Sequence, residues 1–157
     1  NRIPQGCCKM IIKKINPDDI ERIVALSESE FPYKNNSSEK FSERQKNGAM
    51  LFKAEENGSF AGFVDFELKG ERGFIHGLAV RKEFRGKKIG HRLAVFAVHA
   101  LSLNGAEKIC LLVRRQNDAA KKIYKKLGFR QAGTGEKTIA GEPVEELELN
   151  VRNDFFS

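Results

Sequence analysis

A near-continuous apolar run over residues 74–80 leads into Arg81-Lys82-Glu83-Phe84-Arg85-Gly86-Lys87-Lys88-Ile89-Gly90, and a long apolar stretch over residues 93–103 leaves it. That order reads as a buried strand, a short basic loop with glycines, and a helix. No other part of the chain constrains the fold as tightly. A loop of this kind aims several backbone N–H groups at one point. The start of the following helix adds partial positive charge there. The segment therefore reads as a seat for a phosphate or pyrophosphate. Taken alone, it also reads as a turn carrying solvated charges.

The charge balance agrees with an anionic ligand. Lys and Arg number 28 against 21 Asp and Glu, a net charge of +7 in 157 residues. A basic surplus favours nucleic acid, acidic lipid or a phosphorylated cofactor. The surplus is clustered. Arg81, Lys82, Arg85, Lys87, Lys88 and Arg92 surround the glycine loop, and Arg114, Arg115, Lys121, Lys122, Lys125 and Lys126 form a second group. If the two groups meet in space, one polyanion accounts for much of the excess. Nucleic acid is disfavoured as that polyanion, because no aromatic runs interleave the basic residues.

The length suits one domain with a real core. No apolar run reaches the roughly 20 residues that span a bilayer, so no membrane partner is expected. Cys7, Cys8 and Cys110 form no paired motif, which makes a reduced, cytoplasmic setting the default. His76, His91 and His99 are not spaced with the cysteines as a ligand set, and no metal is expected. Met10 opens an alternating segment and reads as the native start. The domain is then expected over residues 10–153, with residues 1–9 an appended remnant or a disordered arm.

Strands are predicted at 10–15, 49–54, 60–68, 74–80, 108–113, 130–132 and 144–151. Helices are predicted after Asn16-Pro17-Asp18-Asp19, from Ser37-Ser38-Glu39 to Asn47-Gly48, from the glycine loop to Asn104-Gly105, and from Asn117-Asp118 to Gly128. A hairpin series precedes a strand–helix–strand–helix unit. The fold class is α/β (α+β): one domain with a mixed central sheet of about six to seven strands and helices on both faces. Over residues 60–68, Phe63, Asp65 and Glu67 share one face and Val64, Phe66 and Leu68 the other. The carboxylates on the first face read most simply as a polar face in water. Gly77 reads as the mark of a bulge or a close approach.

Two motifs stand in order: Leu78-Ala79-Val80 followed by Arg85-Gly86-Lys87-Lys88-Ile89-Gly90, then Asn117-x-x-Ala120-x-x-x-Tyr124-x-x-x-Gly128-Phe129. Together they resemble the GNAT superfamily of acetyl-CoA-dependent N-acetyltransferases, most strongly over residues 74–129. The resemblance implies transfer of an acetyl group from acetyl-CoA to a primary amine, of a peptide or a small molecule, by direct attack in a ternary complex. It implies that the backbone of Leu78, Ala79 and Val80 pairs with the pantetheine arm. It further implies that Arg85, Gly86, Lys87, Lys88, Ile89, Gly90 and His91 cradle the pyrophosphate, and that Asn117 touches the cofactor. Tyr124 would protonate the leaving thiolate.

Two departures from the family pattern matter. Lys88 stands where the loop usually has its first glycine. Leu112 stands where the ribosomal-protein N-terminal acetyltransferases carry a glutamate base. His76 is the first substitute, on a strand similar to that of the arylalkylamine N-acetyltransferases; Glu67 and Asp65 come next. An imidazole, with a pKa of about 6.5, accepts a proton at neutral pH. A core histidine satisfied by neighbours is the alternative. Residues 29–48 are expected to wall the acceptor. The rival function is a CoA-binding regulatory module without turnover, which the missing glutamate favours and Tyr124 opposes. The oligomeric state is open, a homodimer included.

Overall fold

The structure, a computed structural model, describes residues 9–133 and 136–151. Its strands are β1 (Met10–Lys14), β2 (Met50–Glu56), β3 (Ser59–Lys69), β4 (Arg72–Val80), β5 (Lys108–Arg114), β6 (Arg130–Gln131), β7 (Lys137–Ile139) and β8 (Glu142–Asn150). Its helices are α1 (Asp19–Glu30), α2 (Ser38–Lys46), α3 (Ile89–Leu103) and α4 (Asp118–Lys126). One mixed sheet runs β1-β2-β3-β4-β5-β8-β6, with β7 beside β8. Every pairing is antiparallel except β4 with β5. The predicted architecture holds, and the eighth strand is the short β7, which carries no sequence signal of its own.

Residue alternation in β3 divides the core in two. Val64 and Phe66 join Leu93, Ala97, Val98 and Tyr124 in the cluster beneath α3 and α4. Phe63 joins Ile23, Leu26, Phe41 and Leu51 in the cluster beneath α1 and α2. Helices therefore cover both faces, as the period-2 pattern requires of a strand buried on both sides. Ser37 caps α2 by accepting from the Lys40 N–H at 3.2 Å. Gly62 lets β3 and β4 approach, since a Cβ there would stand 2.4 Å from the Ala79 carbonyl oxygen.

Of the segment expected to be a remnant or arm, residues 1–8 lie outside the described residues. Lys9 exchanges hydrogen bonds with Asn57 at the β2–β3 turn, so it belongs to the folded unit. Among the described residues no helix is long and apolar enough to cross a membrane.

Candidate active site

The strand pairing creates the site. β4 stays with β3 to its end, and β5 stays with β8. Between β4 and β5, pairs run only from Arg72–Lys108 to Ile75–Leu111. Beyond that point the two central strands part. The β3–β4 register shifts at the same place: Ile75 faces Phe66 and Gly77 faces Asp65, which leaves His76 as the extra residue of a bulge. A bulge bends its strand and re-aims a side chain, so the parting has a local cause. Space does not demand glycine at Gly77, where a Cβ would meet the Phe63 ring at an ordinary 3.6 Å.

The parted strands leave a backbone edge without a strand partner. The Arg81 N–H donates to the Ala61 carbonyl at 2.7 Å. By the alternation of an antiparallel ladder, Ala79 then turns its backbone groups toward β3, and Leu78 and Val80 turn theirs to the open side. A narrow cleft of ≈ 40 Å³ lies there, lined by His76, Leu78, Leu112, Asn117 and Tyr124 among others. Tyr124 is 6% exposed, and its ring meets Phe129 edge-on at 5.3 Å. It is buried, yet it forms part of the wall beside the Leu78 strand. Burial pushes its phenol well above the usual range. Asn117 Oδ1 accepts from the Ala120 N–H at 3.1 Å and caps α4. Its amide N–H groups remain as donors.

At the far end of β4 a 3₁₀ turn (Lys82–Phe84) delivers the glycine loop. The loop needs left-handed backbone twice, at Gly86 (φ 83°) and at Lys88 (φ 64°). Lys88 thus takes a glycine-type conformation at the position where the family places glycine, at a cost of about 1 kcal/mol. Replacing it tests this: Lys88→Gly is expected to raise stability by about 1 kcal/mol in denaturant unfolding. An unchanged or lower midpoint would contradict the strain. Ile89, 3% exposed, anchors the helix start in the core. A Cβ on Gly90 would stand within 4 Å of Ile123, Val80 and Leu78, so α3 begins directly over the open part of β4. The N–H groups of Ile89, Gly90 and His91 head that helix with no acceptor in its own ladder.

One member of each basic cluster reaches the same residue. Arg85 forms an ion pair with the Glu30 carboxylate and donates through Nε to the Val80 carbonyl at 3.2 Å. Arg114 donates to the Glu30 carbonyl at 3.3 Å. The end of α1 thus bridges the two lips of the cleft. Lys87 is tied to Glu56 at 3.0 Å.

On the α1–α2 side, a cavity of ≈ 660 Å³ adjoins the cleft, with Phe31, Tyr33, Lys34, Arg44, Asp65 and His76 in its lining. His76 Nε2 and Glu67 Oε1 lie 2.8 Å apart. Burial lowers the His76 pKa, with the Glu67 bond opposing and the charges of Arg44 and Lys34 assisting. The imidazole is therefore neutral at pH 7. The expectation of a polar face in water is corrected: Asp65 is 1% exposed and Glu67 8%. The face they share with Phe63 is covered by α1, α2 and the loop between them. Asp65 forms an ion pair with Arg44, and its Oδ1 has no hydrogen-bond partner among the described residues. Burial raises its pKa to about 6, outweighing the pull of Arg44 and Lys34. Leu112 faces both cavity and cleft, so the place of the family glutamate is at the site but apolar.

The sequence-predicted residues thus divide by region. His76, Leu78, Asn117 and Tyr124 share the cleft. Glu67 joins His76 in the cavity, and residues 85–91 lie at the end of β4 and the start of α3. Arg114, from the second basic group, lines the cleft. Lys34, Arg44 and Glu30 also belong to the region, and the sequence does not single them out individually. Lys34 sits in a helix-breaking loop, and the other two look like ordinary charges at element ends.

A split sheet with a helix N-terminus at one end of the split and a buried tyrosine on its wall defines an acyltransferase of the thioester-using kind. The chain belongs to the acetyltransferase (GNAT) family, whose model matches residues 19–129, and it is an acetyl-CoA-dependent N-acetyltransferase. It is 33% identical over 123 residues to an acetyltransferase of Pectobacterium atrosepticum, covering 76% of this chain and 87% of that one. Its fold is similar to that of the PaiA N-acetyltransferase of Thermoplasma acidophilum in complex with coenzyme A (TM-score 0.70, 21% identity, 88% and 98% of the two chains covered). It is also similar to a chain of the NatC complex bound to Gag peptide and CoA (TM-score 0.81, 19% identity, 90% and 98% covered).

Proposed function

We propose that this chain transfers acetyl from acetyl-CoA to a primary amine seated in the α1–α2 cavity, by direct attack while both substrates are bound. The observation that carries this reading is the parting of β4 and β5 after Ile75 and Leu111, which exposes the edge at Leu78 and Val80 beside Tyr124. Pantetheine offers amides spaced like peptide groups, so an open strand edge suits it. The amides from Gly86 to His91 suit the pyrophosphate. Arg85 can exchange the Glu30 carboxylate for phosphate oxygens, and Arg114, held on the Glu30 backbone carbonyl, adds positive charge beside it. Asn117 supplies a donor on the opposite lip.

In this reading the acceptor ammonium gives up a proton to His76, directly or through water, with Glu67 orienting the ring. The amine attacks the thioester carbon. The Leu78 N–H receives the developing oxyanion. Tyr124, kept protonated by its burial, supplies the proton to the leaving thiolate. Asp65, buried in the cavity lining beside Arg44, adds negative charge that favours an ammonium nearby. The NatC complex binds a Gag peptide, which supports a peptide amine as one acceptor class; small amines fit a cavity of ≈ 660 Å³ equally. The buried free thiol of Cys110 fits a reduced, cytoplasmic setting.

Free-thiol release from acetyl-CoA, followed with a panel of peptides, polyamines and arylalkylamines, tests the proposal. Turnover with at least one primary amine and intersecting initial-rate lines are expected. Tight CoA binding without thiol release would replace this reading with the non-catalytic module. Parallel lines would replace direct attack with an acyl-enzyme.

A further inference from the structure

One amine already stands where an acceptor amine belongs. Lys34 lines the large cavity, the narrow cleft, and a third cavity of ≈ 260 Å³ beyond Phe74 and Leu111. Its ammonium donates to the carbonyl oxygen of His76 at 3.0 Å. That carbonyl lies at the bulge where β4 leaves β5, two residues before Leu78. Along an extended strand two residues span about 7 Å, so the amine is within one side-chain swing of the Leu78 N–H.

Lys34 is held in place. Its own N–H donates to the Phe31 carbonyl at 3.0 Å. The buried Asn36 side chain donates to the Phe31 and Lys34 carbonyls at 2.7 and 3.0 Å. The ammonium also lies 4.9 Å from the centre of the Phe31 ring. No carboxylate forms a salt bridge with it among the described residues; Asp65, Arg44 and Lys40 act on it at longer range, and desolvation lowers its pKa. A lysine in this position is a better nucleophile than one in water, because more of it is neutral.

We propose that Lys34 is a self-acetylation site: in the absence of an external amine, its side chain takes the acetyl group from bound acetyl-CoA. This rests on the acetyl-transfer reading above and adds an internal acceptor to it. The Lys34 ammonium first loses a proton to His76 or to water. The neutral nitrogen attacks the thioester carbon, forming the C–N bond as the carbonyl electrons move to the oxygen beside the Leu78 N–H. The C–S bond then breaks, the thiolate takes a proton from the Tyr124 hydroxyl, and the nitrogen returns a second proton to Tyr124. The products are Nε-acetyl-Lys34, CoA thiol and one proton released to solvent.

The test uses the full chain, acetyl-CoA and no acceptor, with acetyl occupancy mapped by peptide mass spectrometry over time. Lys34 is expected to label at least tenfold faster than the exposed Lys125, and Tyr124→Phe to slow that labelling about 100-fold. Labelling of Lys34 no faster than Lys125, or labelling untouched by Tyr124→Phe, would overturn the inference. Acetyl-CoA binding and thiol release with external amines, measured on the same protein, separate the two levels. If acetyl-CoA binds and external amines turn over while Lys34 stays bare, the inference alone falls. If acetyl-CoA does not bind, the acetyl-transfer reading falls and takes the inference with it.

Discussion

Tyr124→Phe is expected to lower kcat about 100-fold while leaving CoA affinity and thermal stability nearly unchanged. Burial alone shifts the phenol, with no hydrogen bond contributing, so loss of the hydroxyl leaves no partner unsatisfied. The ring keeps its contact with Phe129 and its place under α4. What disappears is the proton for the leaving thiolate. Without it the thiolate must depart as an anion into a desolvated cleft, the costly alternative. Steady-state kinetics, calorimetric titration with CoA and a melting curve make the comparison. A loss of CoA affinity matching the loss of rate would assign Tyr124 to binding or packing. An unchanged kcat would remove it from the chemistry.

His76 carries the second large effect, and its pH dependence gives the sign. Burial lowers its pKa from the ordinary value near 6.5, with Glu67 pulling the other way. The ring accepts a proton only while neutral. Activity through His76 is therefore present at neutral pH and is lost as pH falls through a point below 6.5. His76→Gln is expected to reduce kcat about 100-fold and remove that acid limb. Glu67→Gln removes the partner that raises the pKa, so the limb should move to still lower pH while the rate drops more modestly. Arg44 and Lys34, the other charges acting on the ring, remain in both variants. Profiles of kcat against pH, taken at saturating acceptor, read this directly. An acid limb that persists unmoved in both variants would belong to another group, with Asp65, at about 6, the first to examine.

The parts of this account that the sequence reveals are those with local signals. The basic glycine loop between an apolar run and a helix is one. The Asn117 cap, the Gly128 stop and the alternation of β3 are others, and each follows from backbone chemistry within a few residues. Three features depend on contacts remote in sequence. The parting of β4 from β5 after Ile75 also follows from which neighbour each strand keeps; Gly77 hints at the bulge but not at the gap it helps open. The burial of Asp65 and Glu67 follows from the cover over Phe63 that Phe41 and the α1–α2 loop provide; alternation names their face but not what covers it. The convergence of Arg85 and Arg114 on Glu30 joins residues far apart along the chain. β7 escaped because three residues, two of them exposed, make no pattern.

The Lys88 position shows both sides. Its departure from glycine is visible in the sequence, and its left-handed φ of 64° shows why glycine is favoured there. The bulge at His76 works in the opposite direction: Gly77 marks the place, yet the residue the bulge re-aims is its neighbour.

A crystal structure of this chain with CoA tests the central claim most directly. It should place pantetheine amides on the backbone of Leu78 and Val80, phosphate oxygens on the amides that follow Arg85, and the sulfur within hydrogen-bonding reach of the Tyr124 hydroxyl. CoA bound elsewhere, or a sulfur remote from that phenol with the β4–β5 gap empty, would contradict it.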